Sequence, residues 1–306
     1  MCRALDWSSG GPTRNSKDST GTRDALRCAS GAVSRRPYAA ARLPPTFDQL
    51  HAGSTTNRPS VATGAGPEVR AVAPAWDDGP VFRRRPEIPL FETVLVDDGR
   101  IRLFDRHLLR LRRSGAAPRQ VSAVRSLAAT WLRTAGRPTV VRFDVEARTG
   151  VASRARAPKR ADPVALAVVP GFDPLDGARE QKRADRGWAE AAEALATAAG
   201  ADEPLLTSEA GLVGETSRAS LFVVDATGRV VTPPVRGVLP GVTRGWALEE
   251  IGATEHALTV AELADARSAF VTTAGRGVVP VASIDGRPLR PDDRVLELAT
   301  AWRGLR

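Results

Sequence analysis

The sequence predicts an α+β fold in two lobes, a smaller α/β lobe over 86–170 and a larger, β-rich lobe over 171–306. Three observations predict it. Residues 1–85, with stretches such as "WSSGGPTRNSKDSTGTRD" and "HAGSTTNRPSVATGAGPE", carry neither a helical nor a strand period. Such a segment buries too little apolar area to offset its ordering entropy, so a disordered basic extension is expected there. Periodicity starts abruptly at Pro89, and beyond it strand-like and helix-like segments follow one another with hairpins dominant in the second half.

Taken in order, "PLFETVLVDDGRIRLF" reads as two strands around Asp98–Gly99, a dipeptide suited to the tight turn of a hairpin. "DRHLLRLRRSG" follows as a helix with Asp105 as its N-cap and Leu108, Leu109 and Leu111 on its apolar face. A second helix is expected over "VSAVRSLAATWLRTAG", then three strands in "TVVRFDVEA", "GVASRARA" and "PVALAVV". The lobes join near 170–177. "WAEAAEALATAAG" is helical and closes on Gly200, and short strands return in "PLLTSE", "SLFVVDATG" and "RVVTPP". A helix over 242–250, the strands "AFVTT" and "VVPVASIDG", and a C-terminal helix from Asp292 complete the pattern.

Composition narrows the function classes. The apolar runs are far too short to span a membrane, and no apolar stretch behind a charged start marks a secretory signal. Cys2 and Cys28 are the only cysteines; they build neither a disulfide framework nor a zinc site, so no metal and a reducing cytoplasm are expected. The net charge of +9 is concentrated at the front. Residues 1–85 hold 13 Lys+Arg against 7 Asp+Glu, the rest 31 against 28. With a single tyrosine, Tyr38, the chain also lacks a stacking platform, so nucleic acid is not the expected partner.

Four places hold residues suited to chemistry. Of 44 basic residues only Lys17, Lys159 and Lys182 are lysines. Lys182, in "EQKRADRGW", draws attention because a lysine, unlike an arginine, loses its proton at accessible cost and attacks a carbonyl carbon. Position alone is equally well explained by a chance surface lysine. "GVLPGVTRGWALEE" runs from a Gly-Pro loop straight into a helix, whose free first-turn N–H groups, near Val242 and Thr243, form a ready anion site. An ordinary loop with Thr243 as cap explains the same residues. Glu215, in "GLVGETSRASLFVV", stands at the mouth of a turn, as a solvated acid or as a partner for a protonated ring nitrogen. Arg110 lies one helical turn past Arg106 on a helix with an inward apolar face, where arginine seeks an anionic fork. His107 beside it reads as a packing or capping residue. A lysine nucleophile, an acid and a phosphate cradle are together what pyridoxal 5′-phosphate needs.

The order of these pieces is recognisable. "LFETVLVDDGR", "DRHLLRL", "QKRADRG", "ADEPLLTSEAGLVGETSRASLFVV", "VVTPPVRGVLPGVTR" and "FVTTAGRGVVPVASIDG" stand in register over two thirds of the chain. In this the sequence resembles the class IV aminotransferase-like, fold-type IV enzymes that use pyridoxal phosphate, and among them the aminodeoxychorismate lyases. The resemblance implies that Lys182 carries the cofactor covalently and then shuttles the substrate's α-proton. It implies that Glu215 keeps the pyridine nitrogen protonated, and that Arg110, Val242 and Thr243 hold the phosphate, with Thr273 on the other phosphate-side loop. Arg142, Arg148 and Arg276 are the candidates for the substrate carboxylate, and a homodimer is implied as well.

Within that family "Lys-x-x-Asp-Arg", over Lys182–Arg186, looks like the Lys-x-x-Asn-Arg of the lyases, and Ala274 stands where transaminases carry a hydroxyl. The expected activity is therefore a 4-amino-4-deoxychorismate lyase that releases pyruvate and forms 4-aminobenzoate for folate synthesis. A branched-chain or D-amino-acid transaminase of the same family is the alternative, and a non-catalytic basic binding protein that keeps the fold a more distant one. One departure stands out. The strand and "Tyr-Gly-Asp-Gly" approach that normally precede "FET" are replaced by "WDDGPVFRRRPEIP".

Overall fold

The computed structural model describes residues 89–146 and 150–305. The extension expected over 1–85, the degenerate approach before Pro89 and Arg148 therefore lie outside the described residues.

The first lobe is a four-stranded antiparallel sheet backed by two helices. Its elements are β1 (Leu90–Asp97), β2 (Arg100–Ile101), α1 (Phe104–Arg113), α2 (Pro118–Thr134), β3 (Thr139–Glu146) and β4 (Gly150–Arg156), with strand order β2-β1-β3-β4. The turn between β1 and β2 is the expected one. Asp98 and Gly99 have φ of 50° and 68°, the left-handed pair that matches strand twist in a two-residue hairpin. Side chains alternate across the sheet. Leu90, Val94 and Val96 of β1, with Val141, Phe143 and Val145 of β3, pack against Leu108 and Leu111 of α1 and Val124 and Ala128 of α2. Phe91, Thr93 and Arg142 consequently face the other way, toward the second lobe. Asp105 is not the N-cap of α1. Leu103, at φ 53°, takes that position, and Asp105 lies inside the first turn, where its charge complements the helix dipole and meets Arg125 at 3.2 Å.

The second lobe comprises β5 (Val164–Pro170), a short 3₁₀ turn (Gly177–Glu180), α3 (Gly187–Ala198), β6 (Glu203–Thr207), β7 (Val213–Thr216), β8 (Ser220–Val224), β9 (Val230–Thr232), α4 (Val242–Ile251), β10 (Thr254–Glu255), α5 (Val260–Ala264), β11 (Ser268–Thr273), β12 (Gly277–Ile284), β13 (Arg287–Pro288) and α6 (Asp293–Gly304). Its nine-stranded sheet runs β10-β9-β8-β11-β12-β5-β6-β7, with β13 on β12. The strand β5, expected to close the first lobe, pairs in parallel with both β6 and β12, which places the change of sheet between 157 and 163 rather than at 170. The strands β7 and β8 lie far apart in this order, yet only Ser217–Ala219 separates them in the chain, so the sheet curls to bring them together.

Inside the curl Leu166, Leu205, Leu221, Val223, Val271, Val279 and Val281 form one core. On the opposite face Phe222 and Phe270 stack at 4.7 Å beneath α4 and α6, whose Trp246 and Trp302 meet at 5.1 Å. Each fully buried side chain of this size contributes about 1.5–3 kcal/mol. Glycine is required at Gly237, where φ is 70° and a Cβ would stand 2.3 Å from the Asp173 carbonyl oxygen. That close approach seats the loop before α4 on the loop after β5. Among the described residues no helix is long and apolar enough to cross a membrane.

Candidate functional site

A cavity of about 770 Å³ opens between the exposed face of the first sheet, the segment around Lys182, the β7–β8 turn and the loop entering α4. Backbone pairing fixes the lysine. Phe91 N donates to the Lys182 carbonyl at 2.9 Å and Ala184 N to the Pro89 carbonyl at 2.7 Å, so residues 182–184 are tied to the start of β1 by one antiparallel bridge between Leu90 and Arg183. The Lys182 Nζ then lies 4.7 Å from the centre of the Phe91 ring. Burial lowers its pKa to about 7, with Arg110 and Arg186 acting in the same direction and Glu92 and Glu215 against it. A large share of the amine is therefore uncharged, and nucleophilic, at neutral pH.

Glu215 faces the same space. It lies within β7 rather than at a turn mouth, with its Oε1 accepting from Leu239 N at 3.2 Å. Burial raises its pKa to about 7, opposed by that hydrogen bond and by Lys182, Arg179 and Arg186. Between pH 4.5 and about 7 the folded chain thus holds a proton at Glu215 that the unfolded chain releases, and stability from this group is lost as pH rises through that window. His107, whose pKa burial lowers, acts oppositely over part of the range, but it is common to wild type and a Glu215 variant. The stability of the cofactor-free wild type relative to Glu215→Gln is expected to drop by about 2 kcal/mol between pH 5 and pH 7.5, read from urea unfolding at each pH. A flat difference would show that Glu215 is solvated.

At the far end Gly241 caps α4 with no side-chain hydrogen bond among the described residues, and Gly241, Val242 and Thr243 bring that first turn to the cavity wall. Thr243 Oγ1 and Thr272 Oγ1 are buried, line the same cavity and have no hydrogen-bond partner among the described residues. Two orphan hydroxyls at an uncapped helix N-terminus form a cup for an oxyanion. Arg110 reaches the same loop, with Nη1 donating to the Pro240 carbonyl at 3.1 Å.

Lys182, Glu215, Arg110, Val242, Thr243 and Thr273, all singled out from the sequence, line this one cavity, as do Arg142 and Ala274. Arg276 does not. Its guanidinium is instead bonded to the buried carboxylate of Glu203. Three features escaped sequence reasoning. Thr272 supplies the second orphan hydroxyl. The cavity is rich in cations, lined by Arg142, Arg154, Arg156, Lys159, Arg179 and Arg186 against the acids Asp176, Asp185 and Glu215, with Asp144 pairing Arg142 at 2.6 Å and Arg154 at 3.2 Å from behind. Glu92, fully buried, binds Arg110 and His107. The last was detectable, because an acid at the phase of Leu90, Val94 and Val96 must either be exposed or have a buried partner.

Comparisons with known proteins agree with this geometry. The protein-family model "Amino-transferase class IV" matches residues 89–284. A "Putative branched-chain-amino-acid aminotransferase" of Methanocaldococcus jannaschii is 37% identical over 95 residues, 29% of this chain and 33% of that protein, so the chain spans about a third of that curated relative's length. Among solved structures, "A hypothetical aminotransferase from Mycobacterium tuberculosis, PLP-bound form" superposes with a TM-score of 0.62 at 23% identity, over 70% of this chain and 88% of that one. A "Putative 4-amino-4-deoxychorismate lyase" from Legionella pneumophila does so with a TM-score of 0.61 at 20% identity, over 70% and 90%. Those two likenesses establish the fold, and the family model, matched over most of the chain, establishes the kinship: the chain belongs to the class IV aminotransferase family.

Proposed function

We propose that the chain is a pyridoxal-phosphate-dependent lyase that cleaves 4-amino-4-deoxychorismate to pyruvate and 4-aminobenzoate. The observation that carries the cofactor reading is the convergence of a free amine at Lys182, a carboxyl at Glu215 and the hydroxyl-lined cup at Thr243 and Thr272 on one cavity. This donor set fits a molecule with an aldehyde, a basic ring nitrogen and a phosphate. When bound, pyridoxal phosphate supplies the aldehyde carbon for the lysine and a ring that delocalises the electron pair left by a departing α-proton. Lys182 Nζ takes that proton from the substrate carbon bearing the amine. Glu215 keeps a proton on the ring nitrogen, and the α4 N-terminus, Thr243, Thr272 and Arg110 bind the phosphate. The C–O bond on the neighbouring carbon then breaks with its electron pair on oxygen, and the released enolpyruvate takes up a proton to become pyruvate.

The cation-rich cavity supports the choice of substrate. Aminodeoxychorismate carries two carboxylates, which guanidinium groups such as Arg142 bind as forks. A branched-chain side chain offers only apolar surface and brings no second carboxylate to those guanidinium groups, of which Arg142 has only Asp144 at 2.6 Å as a partner carboxylate on the protein side. A transaminase remains the second reading, favoured by the Methanocaldococcus jannaschii relative. The two separate in one assay. Lyase activity predicts pyruvate and 4-aminobenzoate in equal amounts with no keto-acid amino acceptor added. Amine transfer from a branched-chain or D-amino acid to 2-oxoglutarate, with no pyruvate from aminodeoxychorismate, would establish the transaminase instead. We further propose that the enzyme works as a cytoplasmic homodimer, with sedimentation velocity the check on its assembly.

A further inference from the structure

A carboxylate at a core position is costly, and Glu92 shows no exposure at all. Taking such a charge out of water is unfavourable unless it is paired and hydrogen-bonded, and a leucine would fill the same space between β1 and α1 without that cost. The pairing is extensive. Glu92 Oε2 accepts from Arg110 Nε at 3.1 Å, and Oε1 accepts from Arg110 Nη2 at 2.5 Å, Thr93 N at 2.8 Å and the His107 Nδ1–H at 3.1 Å. Burial alone would push this carboxyl up, yet Arg110, His107 and Lys182 hold it well below the carboxylate range, so it stays ionised.

The geometry of this fork decides what Arg110 does. Glu92 grips the Nε–Nη2 edge of the guanidinium. That leaves Nη1 on the side of the Pro240 carbonyl, one residue from the uncapped start of α4. Among the described residues three of the five N–H donors are thereby used, and the other two, one on each terminal nitrogen, are left for the cavity that Thr243 and Thr272 also line. A long side chain with several rotatable bonds is fixed in one orientation before any anion arrives, which lowers the ordering cost of binding.

From this we infer that Glu92 is a positioning residue, which holds Arg110 against the cup of Thr243 and Thr272 and so sets the preference of the site for a phosphorylated ligand. The inference rests on the pyridoxal-phosphate reading. Glu92 touches neither phosphate nor substrate and acts through Arg110. An amide in its place presents one acceptor and one donor to a fork that needs two acceptors, so Arg110 loses its register.

The test compares dissociation constants for pyridoxal phosphate and for pyridoxal, followed by tryptophan fluorescence, since Trp188 lines the cavity. The ratio of the two constants isolates the phosphate contribution and is insensitive to a general loosening of the fold. In wild type the phosphorylated ligand is expected to bind more tightly. Glu92→Gln should shrink that preference about 10-fold or more, with pyridoxal affinity little changed. In the double variant Glu92→Gln/Arg110→Ala the preference should be no smaller than in Arg110→Ala alone, the signature of a residue acting through its partner. Arg110→Lys, which leaves Glu92 in place, keeps the charge but not the fork and should lose the preference too, a check that stands even if Glu92→Gln fails to fold. A wild-type protein indifferent to the phosphate would overturn the cofactor reading itself. A wild type that prefers pyridoxal phosphate, with the preference unchanged in Glu92→Gln, would overturn only the role of Glu92, whereas a preference unchanged in Arg110→Lys would remove Arg110 from the phosphate site and the role of Glu92 with it.

Discussion

Lys182→Arg is expected to abolish turnover, on the order of 10⁴-fold or more, while the protein stays folded. The side chain is asked to do two things, bond to a carbonyl carbon and carry a proton, and both need a free electron pair on nitrogen. Burial supplies that pair to a lysine by lowering its pKa to about 7. It cannot supply it to a guanidinium, which stays protonated at any accessible pH. The fold is insulated from the change because the contacts that tie this segment to β1 are backbone ones, from Phe91 N to the Lys182 carbonyl and from Ala184 N to the Pro89 carbonyl. Rates of pyruvate release, with circular dichroism as the control, check the prediction. A variant with a tenth of the wild-type rate or better would mean that the chemistry lies elsewhere.

Glu215→Gln is expected to lower kcat by about 10²- to 10³-fold, the usual cost of removing one fixed electrostatic partner from a reacting centre. Glutamine keeps the shape and retains an acceptor for Leu239 N, so binding of the cofactor should change little. What it lacks is a negative charge to hold a proton on the ring nitrogen, and without that proton the ring draws electrons more weakly. The split between a collapsed kcat and a nearly unchanged affinity distinguishes this role from a merely structural one. An unchanged kcat would remove Glu215 from the reaction.

How much of this was legible in the sequence varies from residue to residue. The Asp98–Gly99 hairpin and the apolar phase of α1 were readable because local geometry dictates them. Lys182 was readable through scarcity, one of three lysines in an arginine-rich chain. The loop into α4 was readable because Gly and Pro punctuate it immediately before a helix. Other features depend on contacts between distant segments. Membership of β5 in the large sheet is set by pairing with β6 and β12, and an apolar run carries no record of its partners. Glu215 was read as a turn residue because Gly214 and Thr216 interrupt the apolar pattern that marks a strand. The curl of the sheet is what buries all of β7. Arg276 and Arg142 look alike in sequence. Each has a carboxylate partner, Glu203 for the first and Asp144 for the second, and only the fold brings the second to the cavity as well.

The most direct test of the account is to trap the cofactor where it bonds. The protein is incubated with pyridoxal phosphate, reduced with borohydride and digested, and the modified lysine is located by mass. Label is expected on the peptide that contains Lys182. Label on Lys159 at the cavity mouth or on Lys17 alone, or no label at all, would contradict it, and the cavity would then need another occupant.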